Sequence, residues 1–265
     1  MWKRHWGLSR DPFLDGGSTY VALPSHVEAA SRLLYSIESA HRLAILRSGA
    51  GMGKSTVLRR ALAEARRAGR RIALATDPID SVGLWNELAD RLGAPAAASP
   101  ADRAASWRRL ERAVQVHALE GRRVVLAVDG AETLWNEGDS ARGDLLRLAH
   151  LDGGSTTALL VLRDGEGDEP DPEPSPPWTL SIGLVRLVRS EVERYLAEKL
   201  AGSGCADALF TPRAIVRLHA LSSGVPRGLN QLASLSLMAA ASRGVEAVSS
   251  EIVDDAAREC RVPLR

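Results

Sequence analysis

The chain has 265 residues, with 34 Lys and Arg against 33 Asp and Glu and a formal net charge of +1, so it carries no polyanion-binding signature as a whole. Its two cysteines, Cys205 and Cys260, lack metal or redox spacing and are too few for a disulfide scaffold, which points to a reducing cytoplasm. No apolar run reaches the roughly 18 residues that span a bilayer, and the charged start lacks the apolar centre of a signal peptide. The expectation is a cytoplasmic protein without direct membrane insertion, whose anchor, where a membrane is involved, comes from a partner.

The first 40 residues open loop-like and aromatic (WKRHWGLSRDPF) and then turn helical. A helix is expected over 26–40 behind Ser25 as N-cap, with Glu28 as capping-box partner and Val27, Ala30, Leu33, Leu34 and Ile37 at helical spacing. Two readings of this segment stand side by side. Either Tyr20–His26 lines a base pocket, or Trp2, Trp6, Phe13 and Tyr20 pack the segment onto a core. HRLAILR, 41–47, reads as the first central strand. After the loop RSGAGMGKST comes a helix over 54–68, with Val57, Leu58, Ala61, Leu62 and Ala65 inward and Arg59, Arg60, Arg66 and Arg67 outward. RRIALAT, 70–76, is a second buried strand, and 77–93 a helix stopped by Gly93.

A linker over 94–102 leads to a long helix, 102–120, whose Arg103, Arg108, Arg109 and Arg112 read as a solvated face. RRVVLAVDG, 122–130, is a β-branched run closing on Asp129, and TTALLVLRD, 156–164, is the next strand. DGEGDEPDPEPSPP, 164–177, is acidic and Pro-rich, which suits a solvated loop, and WTLSIGLVRL supplies the fifth strand. Helices follow at 190–201, at 212–221 behind a Thr211 cap with Pro212 at its first position, at 226–243, and from Ser249 or Ser250 to about 261. Strands alternating with helices, then a run of helices, predict an α/β sheet with a helical lid. The expected divisions are a segment 1–40 beside the nucleotide, an α/β domain 41–188 and a lid 189–265.

Strand, Gly-rich loop and helix in that order are the context of a phosphate-binding P-loop. Backbone amides hold a triphosphate tail where small residues let the chain wrap it, so Gly49, Ala50, Gly51, Met52, Gly53 and Thr56 are candidate contacts. Lys54 places a compact cation on the β/γ-phosphates, and the Ser55 hydroxyl can ligate the Mg²⁺ that bridges them. The chain has only three lysines, Lys3, Lys54 and Lys199, so a lysine at 54 is not a habit of composition. Ser48 stands where the pattern GxxxxGK[ST] has its first Gly, and Gly49 is a shifted substitute for the turn. Asp129, at the carboxyl end of a buried strand, is placed to hold the Mg²⁺ shell. Gly130 occupies the position of the water-orienting Glu of hydrolytic members of this class. Glu132, then Glu137 or Asp139, are nearby carboxylates out of register, and Arg163 or Asp164 stands where a γ-phosphate sensor is expected.

With GLSRDPF, SHVEAASRLLYSIE, the P-loop, the strand ending at Asp129 and FTPRAIVRLHALSSGVPRGLNQL in this order, the chain resembles the AAA+ ATPases of the general secretion pathway A type. These are similar in turn to the ATP-dependent regulators of DNA transposition. The resemblance covers almost the whole chain. It implies a five-stranded parallel P-loop sheet with helices on both faces and a C-terminal helical lid, with ATP and Mg²⁺ as ligands. It also makes Arg227 the sensor-2 arginine that reaches the γ-phosphate, with Asn230 in the same motif. The catalytic set is then Lys54, Asp129, Glu132 and Arg227.

Three departures matter: Ser48 in the P-loop, DGAE at 129–132 where the family has DEAQ, and Ser181 where the family carries an arginine that acts across a subunit interface. Losing an orienting carboxylate or an arginine finger costs on the order of 10³-fold in rate per group, and neither is needed to bind ATP. The implied function is an ATP-binding switch on a protein complex of secretion or cell-envelope assembly, with slow or partner-completed hydrolysis. Its implied partners are a protein client or membrane-anchored protein and a homo-oligomer. The alternative is a DNA-associated regulator of the transposition type, against which the near-neutral charge and acidic loop argue mildly. A degenerate scaffold without nucleotide is disfavoured by the presence of Lys54, Ser55, Asp129 and Arg227.

Overall fold

The computed structural model describes residues 2–14, 20–96, 99–154, 156–164 and 176–259. Most of the acidic stretch 164–177, and Cys260, lie outside the described residues. In chain order the elements are α1 (Trp2–His5), α2 (Pro24–Glu38), β1 (Leu43–Ser48), α3 (Lys54–Arg67), β2 (Arg71–Thr76), α4 (Ser81–Arg91), α5 (Arg103–Leu119) and β3 (Val124–Asp129). They continue with α6 (Glu132–Asn136), α7 (Asp139–Arg147), a 3-10 stretch (Leu148–Gly154), β4 (Thr156–Arg163), β5 (Leu180–Gly183), α8 (Arg189–Ala201), α9 (Pro212–Ser222), α10 (Pro226–Ser242) and α11 (Ser250–Glu259). They fall into two units, an α/β unit of residues 25–50 and 54–184 and a helical unit of residues 1–24, 51–53 and 185–265.

The α/β unit is built on a five-stranded sheet in the order β2-β3-β4-β1-β5, parallel throughout. Every residue of β3 is buried, as an unbroken apolar run in a sheet covered on both faces requires. One face packs Leu43, Ile45, Leu126 and Val128 against Trp85 and Leu88 of α4 and Leu110 and Val114 of α5. Helix α3 lies along β1, β2 and β4 and buries Val57, Leu58, Ala61, Leu62 and Ala65, the stripe its spacing predicts.

Several boundaries move. Helix α2 begins at Pro24, whose fixed φ suits a first helical position, so Ser25 sits inside the first turn and not at the cap. His26 and Ala29 then take the buried face, and Val27 is 42% exposed. Helix α4 begins at Ser81 and not at 77: Pro78 disfavours the helical region for the residue before it, Asp77 adopts φ +48, and Asp80 caps the helix by accepting from the Gly83 amide at 2.8 Å. Strand β5 is confined to four residues of the expected 178–187 run.

The arginines of α5 are only partly a solvated face. Arg108 and Arg112 are exposed, while Arg103 stacks over Trp85 and pairs with the buried Asp144. Arg109, 11% exposed, ties down the preceding linker. Its Nε donates to Pro95 O at 2.6 Å, its Nη1 to Asn86 O at 3.3 Å and its Nη2 to Ala94 O at 3.1 Å, and it pairs with Asp90. A lysine cannot reproduce this planar fork. Arg109→Ala and Arg109→Lys are both expected to lower the free energy of unfolding by about 2–4 kcal/mol, read by urea titration.

The helical unit buries Leu196, Phe210, Leu229 and Leu237 in one core that also takes in Trp6, Phe13 and Leu23 from the N-terminal segment. Trp6 Nε1 donates to Leu237 O at 3.0 Å, and Phe13 meets Phe210 edge-on at 6.4 Å. Residues 1–24 therefore join residues 185–265, and the boundary falls after Pro24 instead of at 40. Thr211 caps α9 through the Ala214 amide, with Pro212 in the first turn, as the sequence predicts. Gly224, at φ +70, accepts from the Leu187 amide at 2.9 Å, and a Cβ there would lie 2.3 Å from Leu187 O. Gly224→Ala is expected to cost about 2 kcal/mol or more from the left-handed backbone and the clash together, seen as a fall in Tm.

Candidate functional site

Strand β1 ends at Ser48 and α3 begins at Lys54, so the Gly-rich loop opens at the carboxyl edge of the sheet. The loop's positive φ values are at Gly51 (+76) and Gly53 (+93). Ser48 is still strand, 5% exposed, and Gly49 makes no use of a left-handed backbone. The missing first glycine is therefore no defect of the turn, and no shifted substitute is required. Gly51 is needed where it stands: a Cβ there would lie 2.8 Å from the Cβ of Arg227 within the helical unit.

Lys54 folds back over the start of the loop, donating to Ser48 O at 2.6 Å and Gly49 O at 2.9 Å. Burial pushes its pKa down; Glu132, Asp164 and Asp129 oppose the shift, and Arg163 adds to it. A phosphate at this ammonium restores the stability of its charged form. Ser55, one residue into α3, donates its hydroxyl to Asp129 Oδ1 at 3.1 Å. Because β4 lies between β1 and β3, this bond joins strand ends that are not neighbours. Two hard oxygen donors meeting beside a lysine fit a Mg²⁺ held partly by water and phosphate, the arrangement this ion prefers to an all-protein cage. Among the described residues no group of three or more His, Cys, Asp and Glu offers such a cage.

The other sequence candidates separate. Glu132 opens α6 and pairs with Arg163 at the end of β4 at 3.4 Å, which ties both to the edge where Lys54 sits. Asp164 donates its amide to Ser48 O at 3.2 Å. Glu137 and Asp139 are exposed, and Asp139 pairs with Arg142. Met52 is buried and the Thr56 side chain exposed. Arg227, in the first turn of α10, is exposed and donates its amide to Gly51 O at 3.2 Å. Asn230 accepts from the Tyr195 hydroxyl at 2.8 Å and braces α10 against α8. Ser181 offers its carbonyl to Arg32 at 3.0 Å.

One residue escaped the sequence reading. Asp77, assigned to a helix there, sits one position past β2, and its amide donates to Asp129 O at 2.7 Å. Gly130, one position past β3, has φ +79, and its absent Cβ would lie 2.0 Å from Asp77 Oδ1. The available signal was an Asp-Pro pair closing a buried strand, a poor helix start.

Residues 37–163 match a family model described as an AAA domain. The chain is 27% identical over 258 residues to general secretion pathway protein A of Aeromonas hydrophila, an alignment covering 92% of this chain and 46% of that protein. It thus spans about half the length of this curated relative. Among solved structures it is similar to Drosophila ORC bound to DNA (TM-score 0.69, 13% identity, 97% of this chain and 66% of that one). It is also similar to Cdc6p from Pyrobaculum aerophilum (TM-score 0.68, 15% identity, 95% and 71%) and to Aeropyrum pernix ORC1 in complex with DNA (TM-score 0.62, 17% identity, 94% and 69%). At these identities the likeness establishes the fold, a P-loop AAA+ sheet followed by helices.

Proposed function

Residues 37–163 being an AAA domain of the P-loop AAA+ fold, we propose that the chain binds ATP with Mg²⁺ at the loop joining β1 to α3 and works as a nucleotide-dependent switch. The observation that carries this reading is the Ser55–Asp129 hydrogen bond beside Lys54. In this reading the amides of residues 49–56 cradle the phosphates, Lys54 exchanges its bonds to Ser48 O and Gly49 O for phosphate oxygens, and Arg227 answers the γ-phosphate. Ser55 and Asp129 hold the metal shell. Bound Mg²⁺ supplies charge neutralisation across the β- and γ-phosphates.

Hydrolysis by the chain alone is slow in this reading. Gly130 brings no carboxylate, and Ser181 brings no guanidinium for a neighbouring subunit. Each loss is worth on the order of 10³-fold in rate. Calorimetry with a non-hydrolysable ATP analogue and Mg²⁺ is expected to show one site per chain, and ATP turnover is expected to stay far below that of AAA+ sites with both groups. No binding, or fast turnover by the purified chain alone, would contradict it. The likeness to a secretion-pathway protein supports a protein complex as the client, with a membrane-anchored partner and a homo-oligomer completing the machine. No helix among the described residues is long and apolar enough to cross a membrane. A second reading, ATP-dependent association with DNA, draws on the fold shared with two proteins solved with DNA. It requires ATP-dependent DNA binding that weakens steeply with salt.

A further inference from the structure

We infer that Asp77 supplies, from the neighbouring strand, the carboxylate that Gly130 lacks, and that it orients the water attacking the γ-phosphate. The inference rests on the ATP reading and adds to it the residue through which the remaining hydrolysis runs.

The register places the exchange. Strands β2 and β3 are parallel, with Thr76 opposite Asp129, so the next residues on each strand, Asp77 and Gly130, face one another at the carboxyl edge. Both have a left-handed backbone, φ +48 and φ +79. For Asp77 that conformation is uncommon, and here it accompanies the hydrogen bond that its backbone N–H donates to Asp129 O at 2.7 Å. Its carboxylate occupies the volume that a side chain at 130 would enter: Oδ1 lies 2.0 Å and Cγ 3.0 Å from the Cβ position of Gly130. In a glutamate the carboxyl carbon lies about 2.5 Å from its own Cβ, two C–C bonds away. In Asp77 the oxygen is the nearer atom, so its carboxylate points at that position from β2, whereas a glutamate at 130 would carry its carboxylate away from its own Cβ. The two side chains exclude each other, and the chain keeps one carboxylate beside this position, carried by β2. The Asp77 carboxylate is exposed, and it has no protein hydrogen-bond partner among the described residues.

In the reaction, the water oxygen forms a bond to the γ-phosphorus while the β,γ-bridging P–O bond breaks and its electron pair leaves with ADP. Asp77 accepts the hydrogen bond of the attacking water, and the released proton passes to the phosphate product. Asp77 is shorter than glutamate and borrowed from another strand, which is consistent with slow turnover.

The test uses the full chain with Mg²⁺ and radiolabelled ATP under single turnover, alongside calorimetry with a non-hydrolysable analogue and thermal unfolding without nucleotide. Asp77→Asn is expected to lower hydrolysis about 10²-fold or more while analogue affinity stays within about threefold, and Asp77→Glu to retain more activity than Asp77→Asn. Gly130→Glu alone is expected to lower Tm by about 4 °C or more, and Gly130→Glu with Asp77→Gly to recover part of that loss and to restore hydrolysis above the Asp77→Asn level. Hydrolysis by Asp77→Asn at the parent rate, or analogue binding by the parent chain without any hydrolysis, overturns the inference and leaves the ATP reading standing. Absence of analogue binding by the parent chain overturns both.

Discussion

Lys54→Ala is expected to abolish detectable ATP binding, a loss of about 10²-fold or more in affinity, with little change in Tm. The asymmetry follows from the geometry. The ammonium is half-buried, so folding already bears the cost of desolvating it, and its hydrogen bonds go to two carbonyls of its own loop. Removing it takes one donor from each of those carbonyls, of which Ser48 O keeps the Asp164 amide as a partner, and relieves the desolvation that depresses its pKa, so the net effect on stability is expected to be small. The phosphates, by contrast, lose a point charge that no other lysine can replace, since Lys3 and Lys199 are the only others in the chain. Calorimetry with the ATP analogue and a thermal melt on the same preparation separate the two effects. An affinity within a few-fold of the parent would show that the loop does not receive the triphosphate.

Asp129→Ala is expected to remove the Mg²⁺ dependence of nucleotide binding and to lower hydrolysis on the order of 10²–10³-fold. Asp129 is 7% exposed and accepts from Ser55, so truncation also leaves the Ser55 hydroxyl without that acceptor. Asp129→Asn keeps an acceptor for Ser55 but loses the charge, and is expected to preserve Tm while losing the metal dependence. Titrating Mg²⁺ against analogue affinity in the three proteins reads this directly. Equal metal dependence in parent and Asp129→Asn would place the ion elsewhere.

How much the sequence disclosed follows from how local each feature is. The strands ending at Ser48, Asp129 and Arg163 are contiguous apolar runs, and the α3 stripe and the Thr211 cap depend on neighbours within a turn or two, so all were legible. The meeting of Ser55 and Asp129 was legible through the motif pair, although the residues are far apart in sequence. Arg109 was not, because its exposure is decided by a linker that folds back over α5. Helices α6 and α7 were missed because α6 is a single short turn-like stretch and α7 has little apolar periodicity in DSARGDLLR. The significance of Ser48 was overestimated: a motif records which residues recur, while the φ values at Gly51 and Gly53 record which positions need them. Asp77 was invisible because its neighbour across the sheet lies 53 positions away, from 77 to 130, and only strand register brings the two together.

The sharing of Trp6 and Phe13 with the core of the helical unit has a practical consequence for dissecting the chain. A fragment that starts at residue 185 would lack these two rings and present a bare apolar trough, so it should precipitate or associate with itself. Grafting residues 2–24 onto its front through a flexible tether should return it to solution. The first and last parts of the polypeptide are thus folding companions, and a clean excision of either half must carry the other's contribution along with it.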